Sequence, residues 1–405
     1  MSGLEFSEIP LCPPDVVFGV LDSFNQDPDP NKVNLSIGAY RTDEGDPWVL
    51  PIVKATELAL AQDVLQDHEY LPISGLTAFL DSSARLVLGA SSTIILENRY
   101  AAVQTIGGTG AIRIGLGFLK KFSKSNVFYL PTPTWPNHNK ILTELGAEIR
   151  SYRYYDVDKN CLDEKGMIED LRAAPEGSTV ILHGVAHNPT GMDPTKDQWK
   201  QICDVIKERS LTTFVDFAYQ GFASGDLDKD AWAVRYFIEQ GLNLFIAQSY
   251  SKNFGLYNER VGCLTVTCSS PKLASCVKSQ LAVLCRTIWS NPSNHGARIV
   301  ATVLNNPAMF AEWKENLRVM SDRLSQMRQA LYDRLRVLGT PGNWDHLLAQ
   351  IGMFSYTGLK PNQVEIMTKK FHIYLMKSGR ISLAGLNSKN LDYVAKGIHE
   401  VITTT

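Results

Sequence analysis

Residues 178–216 read STVILHGVAHNPTGMDPTKDQWKQICDVIKERSLTTFVD. An apolar run from Ser178 to Ala186 breaks at His187-Asn188-Pro189. Trp199, Ile202 and Ile206 then fall three and four apart, the spacing of one helix face. A second apolar run, Thr212 to Asp216, closes the unit. Strand, helix and strand in that order imply two parallel neighbours joined by a crossover helix.

The same alternation extends both ways. Upstream, Ala101–Ile106 and Asn126–Leu130 are short apolar runs, the second closed by Pro131 and Pro133. Downstream, a helix-like segment passes through Trp232 and Tyr236, followed by strand-like Asn243–Tyr250 and Val261–Thr267. The expected fold class is α/β, with a mostly parallel sheet covered on both faces.

The C-terminal third changes period. Phe310, Trp313, Leu317, Met320, Leu324, Met327, Leu331, Leu335 and Leu338 recur at steps of three and four until Gly339 and Pro341. This predicts one long amphipathic helix bridging two domains. A coiled coil would give the same stripe, but this one sits inside an α/β chain. The predicted division is an N-terminal arm with part of a small domain over 1–45 and a large domain over 46–310. The bridging helix and the rest of a smaller α+β domain take 311–405.

Composition narrows the function classes. The 405 residues are 44% hydrophobic and 20% charged, with 40 basic and 42 acidic residues and a net charge of −2. That balance offers no general attraction for nucleic acid or anionic membranes. A bound anion must be held by a few placed cations. No apolar run reaches the ~18 residues of a membrane span. Lys32 is the one basic residue among the first forty, where Glu5, Glu8 and Asp15 are acidic, so no transit or signal segment is expected. The seven cysteines form no CxxC pair and read as reduced thiols of a cytoplasmic protein.

In an open parallel sheet, ligands bind beyond the carboxyl ends of the strands. Trp135, Asn188, Asp216 with Tyr219, and Lys252 follow four successive strands. Singly, Asn188 also reads as a turn residue, Asp216 as a helix cap and Lys252 as a solvated cation. Together they converge on one rim.

The cluster Gly107-Gly108-Thr109-Gly110 lies between a strand and a helix, where backbone N–H groups can face an anion. No Gly-Lys-Ser/Thr of a Walker loop is present, and the next strand ends without the acidic residue of a dinucleotide site. A phosphate monoester fits better. Gln248–Gly262 (QSYSKNFGLYNERVG) then supplies a lysine after a strand, a hydroxyl at Ser249 and a cation at Arg260. Cations near Lys252 favour its neutral amine, the form that makes a Schiff base. Schiff-base lysine, phosphate cup, acid and stacking ring are the set that pyridoxal phosphate requires.

With these motifs, and with Val33–Thr42, Ser378-Gly379-Arg380 and Asn390–Tyr393, the chain resembles the aspartate aminotransferase family of fold type I pyridoxal-phosphate enzymes. The likeness runs nearly end to end and is strongest to cytosolic eukaryotic members. It implies pyridoxal 5'-phosphate bound covalently to Lys252, which would also shuttle the substrate proton. Asp216 would pair with the ring nitrogen, aided by His138 from behind. Tyr219 and Asn188 would hold the ring oxygen, and Trp135 would stack on the ring. Gly108, Thr109, Ser249 and Arg260 would grip the phosphate, with Tyr70 reaching the phosphate of a neighbouring subunit.

The resemblance assigns Arg380 to the α-carboxylate and Arg286, across a homodimer interface, to the side-chain carboxylate. Gly38 would bring its backbone close to the substrate. Dicarboxylic amino acids and 2-oxo acids are the implied partners, with neither nucleic acid nor membrane. Two positions depart from the pattern. Gly107 stands where some relatives carry serine, and Ser293 stands where many carry a second proline, which would loosen the loop bearing Arg286. His183 and His187, four apart, suggest a metal pair only superficially, and no metal is expected. Aromatic or kynurenine transamination, other pyridoxal-phosphate reactions, and a non-catalytic paralogue remain the rivals.

Overall fold

The structure, a computed structural model, describes residues 6–405, so Glu5 lies outside the described residues. The alternating middle of the chain forms a seven-stranded sheet. Its strands are β1 (Tyr100–Ile106), β2 (Val127–Thr132), β3 (Glu148–Arg153), β4 (Thr179–His183), β5 (Thr212–Phe217), β6 (Leu244–Ser249) and β7 (Val261–Thr267). Their spatial order is β1-β7-β6-β5-β4-β2-β3. All neighbours from β6 through β3 are parallel, whereas β7 runs antiparallel to both β6 and β1. This one reversal puts the start of β7, not its end, on the rim where the parallel strands finish. β3 had no apolar run to announce it. It is an edge strand, EIRSYR, whose charged residues face water and blunt the edge.

Both faces of the sheet are buried, which explains the unbroken apolar runs. Ile181, Phe214, Phe245 and Leu264 pack on one face with α2 (Gly107–Phe122), α3 (Pro136–Glu144) and α5 (Pro271–Ile288). Val180, Leu182, Val215 and Ile246 pack on the other, together with Trp199, Ile202 and Ile206 of the crossover helix α4 (Lys196–Glu208). That helix starts with a capping box, Thr195 with Gln198, which satisfies two otherwise unpaired backbone donors.

The long stripe becomes a single helix, α6, over Pro307–Val337. Asn306 caps it by accepting from the backbone N–H groups of Ala308 and Met309. Past its end, Gly339 adopts φ +64°, a conformation that stops a helix readily when the residue is glycine. Trp313 on its buried face donates to the carbonyl of Asn253 at 2.8 Å and stacks on Phe254. The helix is thereby tied to the turn carrying Lys252.

Beyond α6 the chain forms small elements. Phe354–Tyr356 pairs antiparallel with Arg380–Ser382. Val33–Asn34, from the N-terminal segment, pairs in parallel with Ile373–Tyr374. Helix α1 (Val16–Gln26), capped by Asp15, precedes that segment. The N-terminal stretch is therefore joined to Ile373–Tyr374 in a two-stranded sheet.

Candidate active site

A cavity of about 350 Å³ opens at the carboxyl ends of the parallel strands, a size suited to a small molecule. It gathers Gly38, Gly108, Thr109, Trp135, Asn188, Asp216, Tyr219, Ser249, Lys252, Arg260 and Arg380. They come from the ends of several different elements. Gly108 and Thr109 open α2 directly after β1, and Trp135 precedes α3 after β2. Asn188 follows β4, Asp216 lies near the end of β5 with Tyr219 just past it, and Lys252 follows β6. Arg260 precedes the reversed β7.

Lys252 faces the cavity with its Nζ 5.7 Å from the centre of the Tyr219 ring. Enclosure by the protein lowers its pKa to about 8, and Arg260 and Arg380 push the same way against the pull of Asp216. Burial would raise the carboxyl pKa of Asp216. The contact with His138, Nε2 to Oδ2 at 3.3 Å, together with the charge of Lys252, outweighs it and holds the group below its ordinary range.

A hydrogen-bonded chain fixes the orientation of that histidine. The N–H of Asn188 donates to His183 Nδ1 at 3.2 Å, so the proton of the His183 ring lies on Nε2. Burial keeps His183 neutral. Its Nε2 lies 3.1 Å from the Thr134 hydroxyl, which lies 2.8 Å from His138 Nδ1. One direction of donation satisfies every link, and it leaves the His138 Nε2–H facing Asp216. His138, His183 and Asp216 also bring their ligating atoms within 4.8 Å of one another. The ring nitrogens there are engaged with Thr134, Asn188 and Asp216. The pair His183 and His187, singled out by spacing, is instead a stack of rings with centroids 4.2 Å apart.

At the glycine cluster, α2 begins with no side-chain cap; the N–H of Gly107 donates to the Arg260 carbonyl at 2.8 Å, which leaves those of Gly108 and Thr109 to face an anion. A Cβ on Gly108 would lie 2.9 Å from that of Ser249, so glycine permits the close approach of β1's end to β6's end. A Cβ on Gly107 would meet Arg260 Nη2 at 2.5 Å, and a side chain there would have to displace the guanidinium. Arg260 itself is steadied by the Tyr257 carbonyl at 3.0 Å and the Ser251 hydroxyl at 3.3 Å.

Across the cavity, Arg380 is buried. Its Nη2 donates to the Ser36 carbonyl at 2.7 Å and its Nη1 to Asn188 Oδ1 at 3.2 Å. Its Nε has no partner among the described residues. The guanidinium carbon lies 4.1 Å from the centre of the Phe354 ring. Burial lowers the Arg380 pKa to about 10, so it stays cationic at neutral pH. Gly38 backs Phe354 so closely that a Cβ would sit 2.8 Å from the ring.

Two expected residues are not in this cavity. Tyr70 is 87% exposed. Arg286 is exposed at the end of α5, where it donates to Ser290 Oγ and Asn291 Oδ1. The loop after it is anchored, with Asn291 Nδ2 donating to the Leu71 carbonyl and Gln104 Nε2 to the carbonyl of Ser293. Sequence reading missed Thr134, Ser36 and Phe354. It also missed the start of the N-terminal helix, where Asp15–Phe18 line the cavity and Asp15 pairs with Lys140 at 2.8 Å. The threonine beside Trp135 was the one available signal, and it was silent without the fold.

Comparison with known proteins places this geometry. The family described as aminotransferase class I and II matches residues 30–398. A Gallus gallus protein named aspartate aminotransferase, cytoplasmic, is 54% identical over 409 aligned residues, spanning 100% of this chain and 99% of that one. The structure of the aspartate aminotransferase from Saccharomyces cerevisiae cytoplasm superposes with TM-score 0.96 at 45% identity, covering 98% of each chain. That of an aromatic-amino-acid aminotransferase from Burkholderia pseudomallei, covalently bound to pyridoxal phosphate, superposes with TM-score 0.95. It is 40% identical, covering 98% of this chain and 99% of that one.

Proposed function

The chain belongs to the class I and II aminotransferase family, and from that premise we propose that it is an aspartate aminotransferase. It moves an amino group reversibly between aspartate and 2-oxoglutarate, giving oxaloacetate and glutamate, with pyridoxal 5'-phosphate as cofactor. Its relatives named cytoplasmic support a cytoplasmic location.

The residues fit this cofactor. A lysine of pKa about 8 faces a carboxylate held ionised by His138, and this observation carries the reading. Beside it lie free helix N–H groups, the Ser249 hydroxyl and the Arg260 cation, a cup for one phosphate. When bound, the cofactor supplies an aldehyde to carry the amino group and a conjugated ring to delocalise negative charge from the substrate Cα.

The protein's own groups do the rest. Gly108, Thr109, Ser249 and Arg260 hold the phosphate, and Trp135 covers the ring. Asp216 holds a proton on the ring nitrogen. Tyr219 and Asn188 donate to the ring oxygen, the hydroxyl of Tyr219 staying protonated because burial raises its pKa. Lys252 Nζ, in its neutral form, takes the proton from the substrate Cα and delivers it to the carbon that receives it. Arg380 clamps the α-carboxylate with a fork whose Nε is unspent, while Gly38 lets the backbone approach.

The protein works as a homodimer with its active sites at the subunit interface. Arg286 takes the side-chain carboxylate in the other protomer's cavity, and Tyr70 reaches the other protomer's phosphate. Their exposure, and their absence from the lining of their own cavity, support these roles. The division into an arm (1–45), a large domain (46–310) and a bridging helix with small domain (311–405) places the substrate between two bodies.

Assaying aspartate, tyrosine and kynurenine side by side tests the reading. Aspartate is expected to lead by a wide margin in kcat/KM. A preference for tyrosine or kynurenine would transfer the chain to another activity of the same fold.

A further inference from the structure

α6 carries an arginine where its stripe calls for an apolar residue. Arg328 falls four residues after Leu324 and three before Leu331, all on the buried face. It is 5% exposed. Among the described residues no carboxylate pairs with it. Burial lowers its pKa to about 9, which still leaves it charged at neutral pH. A buried cation without a counter-ion destabilises the fold unless its donors are well used.

All of its hydrogen bonds go to one short segment. Nη2 donates to the carbonyls of Gly352 at 2.9 Å and Phe354 at 3.1 Å. Nη1 donates to the carbonyl of Leu347 at 3.2 Å and the hydroxyl of Ser355 at 3.3 Å. The Ser355 hydroxyl passes its own proton to Gln350 Oε1, which also accepts from the N–H of Tyr356.

That segment backs the anion end of the cavity. Phe354 presents its ring 4.1 Å from the Arg380 guanidinium, and its strand pairs with Arg380–Ser382. Gly352, at φ +80°, packs so closely on Ala186 that a Cβ would lie 2.5 Å from the Ala186 Cβ. The N–H of Ile351 donates to the Gly191 carbonyl at 2.7 Å, so the segment is also joined to the loop bearing Asn188. The two residues that steady Arg380 from the side and from beneath, Asn188 and Phe354, thus both lean on the backbone that Arg328 grips.

We infer that Arg328 is a positioning residue for the substrate α-carboxylate: its guanidinium locks the Gly352–Ser355 backbone, and through Phe354 it sets the plane of Arg380. This deepens the proposed function and rests on Arg380 receiving the α-carboxylate. A bidentate pair depends steeply on orientation, so freeing the ring should weaken binding of every substrate that shares the α-carboxylate.

Arg328→Met in the holoenzyme removes both charge and fork. KM for aspartate and for 2-oxoglutarate should each rise about tenfold while kcat changes less than about twofold, the signature of lost uniform binding. The Kd of maleate, read from the change in the cofactor's absorption, should rise by the same factor. In a Phe354→Leu background the same substitution should cost less than about twofold, because the coupling runs through the ring. Should Arg328→Met fail to fold, Arg328→Lys, which keeps the charge but cannot fork two carbonyls, should raise both KM values about threefold.

KM and maleate Kd unchanged while only Tm falls would overturn the inference, as would losses that simply multiply in the double variant. Arg380→Leu run alongside separates the two levels. Unchanged KM there removes Arg380 from the α-carboxylate, and this role with it. Raised KM there beside normal values at position 328 refutes the role of Arg328 alone.

Discussion

The Nε2 of His138 stands 3.3 Å from Oδ2 of Asp216, with both side chains buried. Without the histidine, burial would drive the carboxyl pKa upward. Asp216 would then spend part of its time neutral and hold a ring-nitrogen proton less firmly. His138→Ala should lower kcat by about tenfold, the worth of roughly 1.4 kcal/mol, and shift the acid limb of the pH–rate profile upward. An unchanged profile would detach His138 from the reaction.

Lys252 carries a pH signature of its own. A pKa lowered from 10.5 to about 8 means the neutral amine gains population two to three units earlier than in an exposed lysine. Roughly a tenth of the amines are neutral at pH 7 and about half at pH 8. Capture of pyridoxal phosphate by the apoprotein needs that form, so its rate should climb with a midpoint near pH 8 and level off above about pH 9. Stopped-flow absorbance would follow it. A midpoint near that of free lysine would contradict the depressed value.

Charge reversal at the distal arginine should redirect selectivity. Arg286→Asp is expected to lower kcat/KM for aspartate on the order of 10³-fold and to favour arginine or lysine over the parent protein's preference. Competition assays with acidic and basic amino acids would read the change. Equal losses for all substrates would mean that the side-chain carboxylate is recognised elsewhere.

A fourth expectation concerns the join between the N-terminal segment and the C-terminal elements. His372 Nδ1 lies 2.6 Å from Asp27 Oδ2, and the Tyr374 hydroxyl donates to the same oxygen at 2.7 Å. Asp27 is lowered to about 2, chiefly by Tyr374, and His372 is raised above 6.5, chiefly by Asp27. A raised histidine stabilises fully below its unfolded value and loses the effect as pH rises through the folded one. The depressed carboxylate contributes above its unfolded 3.8 and fades toward 2. The Tm gap between the parent and His372→Gln should therefore be widest between about pH 4 and 6.5 and shrink at higher pH. A gap constant with pH would deny the ion pair any part.

Much of the site could be read in one dimension because the fold delivers it by strand ends. Lys252, Asp216 and Asn188 each follow an apolar run, and that position has chemical meaning in a parallel sheet. The reversal of β7 could not be read, since a fully buried run such as Val261–Thr267 has no direction in its composition. Thr134 and Phe354 escaped for another reason. Their partners, His183 and Arg380, lie 49 and 26 positions away, and no local pattern records such contacts. Arg328 was within reach, because a charge on the buried stripe of α6 contradicts its neighbours.

Because β6 and β7 are antiparallel neighbours, Lys252 and Arg260 belong to one hairpin loop, eight positions apart. The covalent hold on the cofactor and the cationic hold on its phosphate that we propose for them are therefore inherited as a single cassette. A one-residue deletion inside that loop would spoil both grips together, whereas hinge motion elsewhere would carry them along unchanged.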